Sequence, residues 1–147
     1  MDELTAWLLL LRAPSLDVEK LSLLLEKFGS ASAALQAGAT AWREFELAPR
    51  TCSFLNTAAI DSVAIDRAWL EQPDHHLVSF DSIDYPPLLR HLSDAPLGLF
   101  VNGNPQLLRS PQLAIVGSRN PTPYGREIAE SFAKHLTNCG LTITSGL

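Results

Sequence analysis

Long apolar runs are missing from this chain. No stretch approaches the roughly 18 consecutive apolar residues that a membrane span needs, so no membrane span is expected. The nearest run, Trp7 to Leu11, follows Asp2 and Glu3, where a secretion signal would carry basic residues. The expected location is therefore cytoplasmic. Cysteine is scarce as well. Cys52 and Cys139, the only two in 147 residues, read as buried thiols and not as a disulfide or a metal pair. An excess of positive charge is also lacking. The net charge is -5, with 8 Lys/Arg against 14 Asp/Glu over residues 1–110 and 3 against 2 over residues 111–147. Nucleic-acid affinity depends on a local basic patch and not on the total, so such a reading has to rest on something else.

Several motifs are absent too. No Gly-x-Gly-x-x-Gly lies between Gly117 and Gly125, and no acidic residue closes the strand that follows, which disfavours a dinucleotide site. There is no Gly-Lys-Ser/Thr, which excludes a P-loop. No nucleophile has a base beside it. His75-His76 sits in a linker and reads as solvated and not metal-bound. No cofactor and no catalytic residue is expected.

Apolar residues make up 46% of the chain and charged residues 18%, the balance of a folded protein. Residues 1–73 read as five or six short helices. Leu4, Trp7, Leu8 and Leu11 share one helical face, and Pro14 ends that helix. Ser15 is the expected N-cap of the next, with Asp17 and Glu19 in its first turn. Val18, Leu21, Leu25 and Phe28 form its stripe, and Gly29 stops it. Further helices are expected over Ser30 to Gly38, around Trp42 and Phe45, over Thr51 to Ala58, and over Ile60 to Gln72 before Pro73. The Phe28-Gly29-Ser30 junction resembles the hairpins of sterile-alpha-motif-like and helix-hairpin-helix modules. Packing or protein contact is expected of it ahead of DNA contact, because it has one glycine and acidic flanks.

Residues 74–112 read as a connector that packs on the next domain. Leu77 to Phe80 and Leu97 to Val101 are strands. Asp84-Tyr85-Pro86-Pro87 is a rigid corner, and Leu88, Leu89 and Leu92 start a short helix. Asn102-Gly103-Asn104-Pro105 is a turn.

Residues 113–147 carry the candidate site. Leu113 to Val116 is wholly apolar, as in a strand buried on both faces of a parallel sheet. Gly117 marks a sharp turn, and Ser118-Arg119-Asn120-Pro121 is the loop. Thr122 caps a helix that begins at Pro123 and runs to about Cys139. Ile128, Phe132 and Leu136 form its sheet-facing side, and Gly140 ends it. Leu141 to Thr144 is a second strand, parallel to the first. Both carboxyl-end loops then lie on one edge, where ligands of open α/β sheets bind. N–H groups around Pro123 to Gly125 and the helix dipole suit an anion. Arg119 adds a bidentate grip, Ser118 and Ser145 add hydroxyls, and Gly117, Gly125 and Gly146 let a ligand approach the backbone. An Arg119 that pairs with a neighbouring carboxylate is the structural alternative.

Ala114-Ile115-Val116-Gly117-Ser118-Arg119, Thr122, Tyr124-Gly125 and Thr144-Ser145-Gly146-Leu147 together resemble the DNA-processing protein A (DprA/Smf) family. Tyr85-Pro86-Pro87-Leu88-Leu89 and Ala95-Pro96-Leu97-Gly98-Leu99-Phe100 to Gly103 fit its lead-in. The resemblance implies an α/β fold: a sterile-alpha-motif-like helical domain, then the first β-α-β of a Rossmann-like domain with a parallel sheet. It implies a non-enzymatic protein that binds single-stranded DNA, protects incoming strands and loads RecA recombinase in natural transformation, as a homodimer when full length. Gly117, Ser118, Arg119, Asn120, Thr122, Tyr124, Gly125, Ser145 and Gly146 would then hold backbone phosphate, with Tyr124 either a stacking surface or a packed ring.

The family pattern continues beyond Leu147, so the Rossmann-like part reads as incomplete. Its residues after about Pro111 are expected to be poorly ordered alone or sheltered by self-association, since a doubly buried strand would lack a neighbour. Two other readings remain open. One is a nucleotide-binding enzyme of the phosphoribohydrolase type, and the other is a protein-interaction module.

Overall fold

Helix boundaries in the first half follow local capping chemistry. In a computed structural model of the chain, which describes residues 1–58 and 60–146, α1 (Glu3–Arg12) starts after Asp2. The Asp2 carboxylate accepts the Thr5 N–H at 2.9 Å. The cap of α2 (Val18–Phe28) is Asp17 and not Ser15. Asp17 stands immediately before the first turn, in extended backbone, and accepts the Lys20 N–H at 2.8 Å. Ser15 lies in the turn after Pro14 with φ 59°, and its hydroxyl accepts from Arg50 instead. Gly29 ends α2 at φ 80°, a left-handed conformation that glycine adopts at no steric cost. Ser30 caps α3 (Ala31–Gln36), and Gly38, at φ 77°, separates it from α4 (Gly38–Glu44). α5 (Pro49–Thr57) begins two residues before the expected Thr51, because proline at the first helical position needs no N–H partner. The helix expected from Ile60 to Gln72 is shorter and divided: a 3₁₀ turn (Ile60–Val63) leads into α6 (Ala64–Leu70).

The chain falls into two compact units, Met1–Pro105 and Gln106–Leu147. In the first, α1 is the central element. A single stripe was expected of it, yet Ala6, Trp7, Leu8, Leu9 and Leu10 are all buried in sequence. A helix that is apolar all round must be covered all round. α3 and the 3₁₀ turn pack against it. Trp42 fills the same core and donates its indole N–H to the Ala34 carbonyl at 2.7 Å.

β1 (His75–Ser79) and β2 (Gly98–Asn102) pair antiparallel, with Leu77 opposite Phe100. Leu77, Phe80 and Leu97 pack on the helical core. A Cβ on Gly98 would meet the Leu11 side chain at 3.1 Å, so glycine lets the strand approach α1. Between the strands, α7 (Pro87–Arg90) is a single turn. His75 belongs to a strand and not to a linker, and it is not free in solvent. Its ring stacks on Trp69 at 3.8 Å, and its Nδ1 lies 2.7 Å from the Trp69 carbonyl.

Ion pairs link α1 to α6. Arg12 grips Asp66 with Nε at 2.7 Å and a second nitrogen at 3.0 Å, and Arg67 reaches Asp2 at 3.0 Å. The Thr5 backbone and hydroxyl donors, with Arg67 behind them, hold the Asp2 carboxyl below its usual 3.8, at about 2. A depressed folded-state value means the carboxylate favours the folded form above the unfolded value. That contribution is lost as pH falls from 3.8 through about 2. We expect Asp2→Asn to be less stable than wild type at neutral pH and the difference to shrink across that window. Urea midpoints measured against pH check this, and a constant difference would contradict it.

The second unit is a β-α-β: β3 (Gln112–Ala114), α8 (Pro123–Asn138) and β4 (Thr142–Thr144), with β3 and β4 parallel as expected. β3 is shorter than Leu113 to Val116. It ends at Ala114, although the Ile115 N–H still bonds to the Thr144 carbonyl at 2.9 Å. As expected of this chain alone, the strand lacks a neighbour on one side: among the described residues it has one neighbouring strand, and Val116 is 86% exposed. Gly140 turns the chain at φ 86° between α8 and β4. The architecture is therefore mixed α/β, with a helical first part and small sheets. No helix among the described residues is long and apolar enough to cross a membrane.

Candidate functional site

The register of β3 and β4 sets the candidate site. Ala114 lies opposite Thr144, so the loops after the two strands leave from adjacent positions on one edge. The first loop carries Gly117, Ser118, Arg119 and Asn120. The second carries Ser145 and Gly146, and all six are exposed. Leu147 lies outside the described residues.

Local hydrogen bonds shape the first loop. The Ser118 hydroxyl accepts the Asn120 N–H at 3.2 Å, a short side-chain turn with Arg119 at its centre. Thr122 is the N-cap of α8, and its Oγ1 accepts the Gly125 N–H at 3.1 Å. This corrects the donor inventory. The N–H groups expected to be open around Pro123 to Gly125 do not include that of Gly125, because the Thr122 cap reaches the third helical amide and takes it. Pro123 has none. Among the described residues the Tyr124 N–H remains in the first turn, with the positive end of a 16-residue helix behind it.

Gly117 is not in the left-handed region, so no sharp turn requires it. A Cβ there would meet nothing within 4 Å, and the same holds at Gly146. Neither glycine is explained by crowding inside the unit, whereas a Cβ on Gly125 would press on Thr122 Oγ1 at 3.3 Å. Open backbone at Gly117 and Gly146 leaves room for a ligand to touch the main chain.

Arg119 is exposed and pairs with no carboxylate: the ion pairs among the described residues are Arg12 with Asp66 and Arg67 with Asp2. The structural alternative for it is absent there. Arg90 is exposed too, but it has partners. Its guanidinium lies over Phe80 at 5.1 Å and Tyr85 at 5.4 Å and donates to the Ser82 carbonyl at 2.9 Å, which makes it part of the packing.

The Phe28-Gly29-Ser30 hairpin is not open to an anion. The Glu3 carboxylate takes the Ala31 N–H at 2.7 Å and the Ser32 N–H at 3.0 Å. Burial pushes the Glu3 carboxyl up, but these bonds outweigh it and hold it below its ordinary value. A phosphate would have to displace a carboxylate already seated on those amides.

The two thiols are not buried. Cys52 is half-buried and Cys139 is exposed. Cys139 Sγ lies 3.9 Å from His135 Nε2, one helical turn away, a four-residue spacing that is visible in the sequence. No group of three His, Cys, Asp or Glu among the described residues suits a metal ion. Arg126 was missed as well. It stands two residues past Tyr124 in the first turn of α8, exposed on the same unit as Arg119. The Gln106–Leu147 unit carries four Lys/Arg against two Glu, unlike the acidic first unit.

Comparison with known proteins bears on the same segment. The family model described as DNA recombination-mediator protein A matches residues 76–147. Protein Smf of Escherichia coli (strain K12) is 48% identical over 86 residues, which cover 58% of this chain and 23% of that protein. DNA processing protein DprA of Streptococcus pneumoniae (strain ATCC BAA-255 / R6) is 40% identical over 85 residues, 56% of this chain and 30% of that protein. Its namesake in Bacillus subtilis (strain 168) is 37% identical over 71 residues, 48% and 24% of the two chains. The aligned region thus spans between 23% and 30% of the length of these relatives.

Proposed function

The chain belongs to the DNA recombination-mediator protein A (DprA/Smf) family, and from that premise we propose that it is a single-stranded DNA-binding part of a recombination mediator. The whole protein would protect incoming single strands in the cytoplasm and load RecA recombinase during natural transformation, working as a homodimer and not as an enzyme. The helical part would be a sterile-alpha-motif-like domain, and the β-α-β the start of a Rossmann-like domain.

One observation carries the reading: an exposed Gly117-Ser118-Arg119 loop, with Arg119 unpaired among the described residues, inside the segment that the family model matches. Arg119 would clamp phosphate oxygens through parallel N–H donors. The Tyr124 N–H and the dipole of α8 would add to the hold. Ser118 and Ser145 would donate hydroxyls, Asn120 a side-chain amide, and Gly117 and Gly146 close backbone approach. Thr122 and Gly125 would act indirectly, through the cap that aims the first turn. Such contacts are to phosphate, so they position a strand without reading its sequence.

Anisotropy of a labelled oligo-dT, titrated with the protein over a salt series, tests the proposal. We expect log K to fall linearly with log salt, by about 0.7 for each phosphate neutralised on a single strand. Absence of binding, or binding indifferent to salt, would remove the basis for the reading.

A further inference from the structure

Five residues of this chain are Trp or Tyr, and four have a place in its packing. Trp7 and Trp42 are buried, and Trp69 stacks on His75. Tyr85 is buried with its hydroxyl on the Pro96 carbonyl. The fifth, Tyr124, is 71% exposed, and no ring or hydrogen-bond partner holds it among the described residues. It stands at the second position of α8, five residues after Arg119 and two before Arg126.

We infer that the Tyr124 ring is the surface on which a base of the bound strand stacks, the base of the nucleotide whose phosphate the Gly117-Ser118-Arg119 loop holds. This rests on the single-strand reading above and adds a second contact of a different kind. The geometry is economical. One residue offers its amide N–H to a phosphate and its ring, a side-chain length away, to a base. That separation is of the same order as the one between the phosphate and base of a nucleotide. Tyrosine suits the role, with an apolar face for the base and a hydroxyl that tolerates water. Stacking on an aromatic face tolerates any sequence, because every base has a π-face. A cationic loop beside an open aromatic ring is the combination used by proteins that hold single strands without reading them.

The competing role for the ring is packing. Tyr124 lies four residues before Ile128 and eight before Phe132, on the apolar side of α8, and a ring that only extended that stripe would change stability without depending on bases. An abasic strand separates the two roles, since it keeps the phosphates and removes the stacking partner.

The experiment measures binding of oligo-dT and of an abasic strand of equal length to wild type, Tyr124→Ala, Tyr124→Phe, Tyr124→Trp and Arg119→Ala. Stacking of one base on one aromatic ring is worth about 1–3 kcal/mol, or roughly five- to a hundredfold. Tyr124→Ala should therefore weaken oligo-dT binding by about fivefold or more and leave the abasic strand as in wild type. Tyr124→Phe should match wild type on both strands, and Tyr124→Trp should bind oligo-dT at least as tightly. Arg119→Ala should weaken both strands together. The stacking role is overturned if Tyr124→Ala changes neither strand, or both equally, with Tyr124→Trp also failing to favour bases. If Arg119→Ala leaves both strands bound as before, the phosphate reading falls on its own result, separately from the ring.

Discussion

Replacing Tyr85 with alanine should cost the first unit about 3–5 kcal/mol, the range for deleting a large buried aromatic side chain. The residue sits in a turn, yet it is 1% exposed and is the largest fully buried side chain described. Its ring meets Phe80 edge-on at 5.1 Å. The Arg90 guanidinium covers both rings. The hydroxyl donates to the Pro96 carbonyl at 2.7 Å and ties the turn to the segment that enters β2. Alanine would remove the ring from all of these at once, and Arg90 would lose the two faces that orient it. Tyr85→Phe separates the contributions. It keeps the ring and leaves only the Pro96 carbonyl without its donor, which should cost about 1 kcal/mol. Urea unfolding of the three proteins gives the comparison. A loss for Tyr85→Ala no larger than that for Tyr85→Phe would show that the ring contributes little packing.

Arg119→Ala should have the largest effect on binding and almost none on stability. A hydrogen bond to a charged group is worth about 1.5–3 kcal/mol, so loss of the guanidinium should weaken oligo-dT binding by roughly ten- to a hundredfold. The salt slope should flatten by about 0.7, the share of one phosphate on a single strand. Arg119→Lys keeps the charge and loses the planar pair of donors, so it should recover the slope but only part of the affinity. The melting temperature should stay that of wild type, because the side chain is exposed and forms no ion pair among the described residues. Arg90→Ala is the matched control, expected to lower stability and to leave binding unchanged. Equal affinity for Arg119→Ala and wild type would place DNA contact elsewhere on the protein.

Much of the local structure was legible because it depends on residues within one turn of each other. Gly29 and Gly140 end helices through backbone conformations that other residues resist. Thr122-Pro123 starts α8 because a hydroxyl reaches an amide three residues on and proline needs no partner at the first position. Strand, loop, helix and strand follow in order from Gln112 to Thr144, and the parallel pairing follows from that order. Arg119, in the loop between Gly117 and the Thr122-Pro123 helix start, points to an anion site from the sequence alone.

Other features had no local signature. Asp17 and Ser15 are both residue types that suit an N-cap, so their identities alone do not say which of them caps α2. Leu9 and Leu10 are buried beyond the expected stripe because α1 is covered from several sides by distant elements. His75 lies flat on Trp69 through a strand and a turn that no pattern of spacing indicates.

The two arginines show the division most clearly. Arg90 follows Pro86-Pro87 and Arg119 follows Gly117-Ser118, each in a turn-rich stretch. By itself the sequence determined that both are charged, that both sit beside rigid or permissive backbone, and that α8 begins just after the second. Only the tertiary structure decided that Arg90 is held against Phe80 and Tyr85, whereas Arg119 is exposed and forms no ion pair among the described residues. The reason is range. Capping, proline and glycine act over a few residues of backbone, but burial and pairing depend on which distant side chains the completed fold brings alongside.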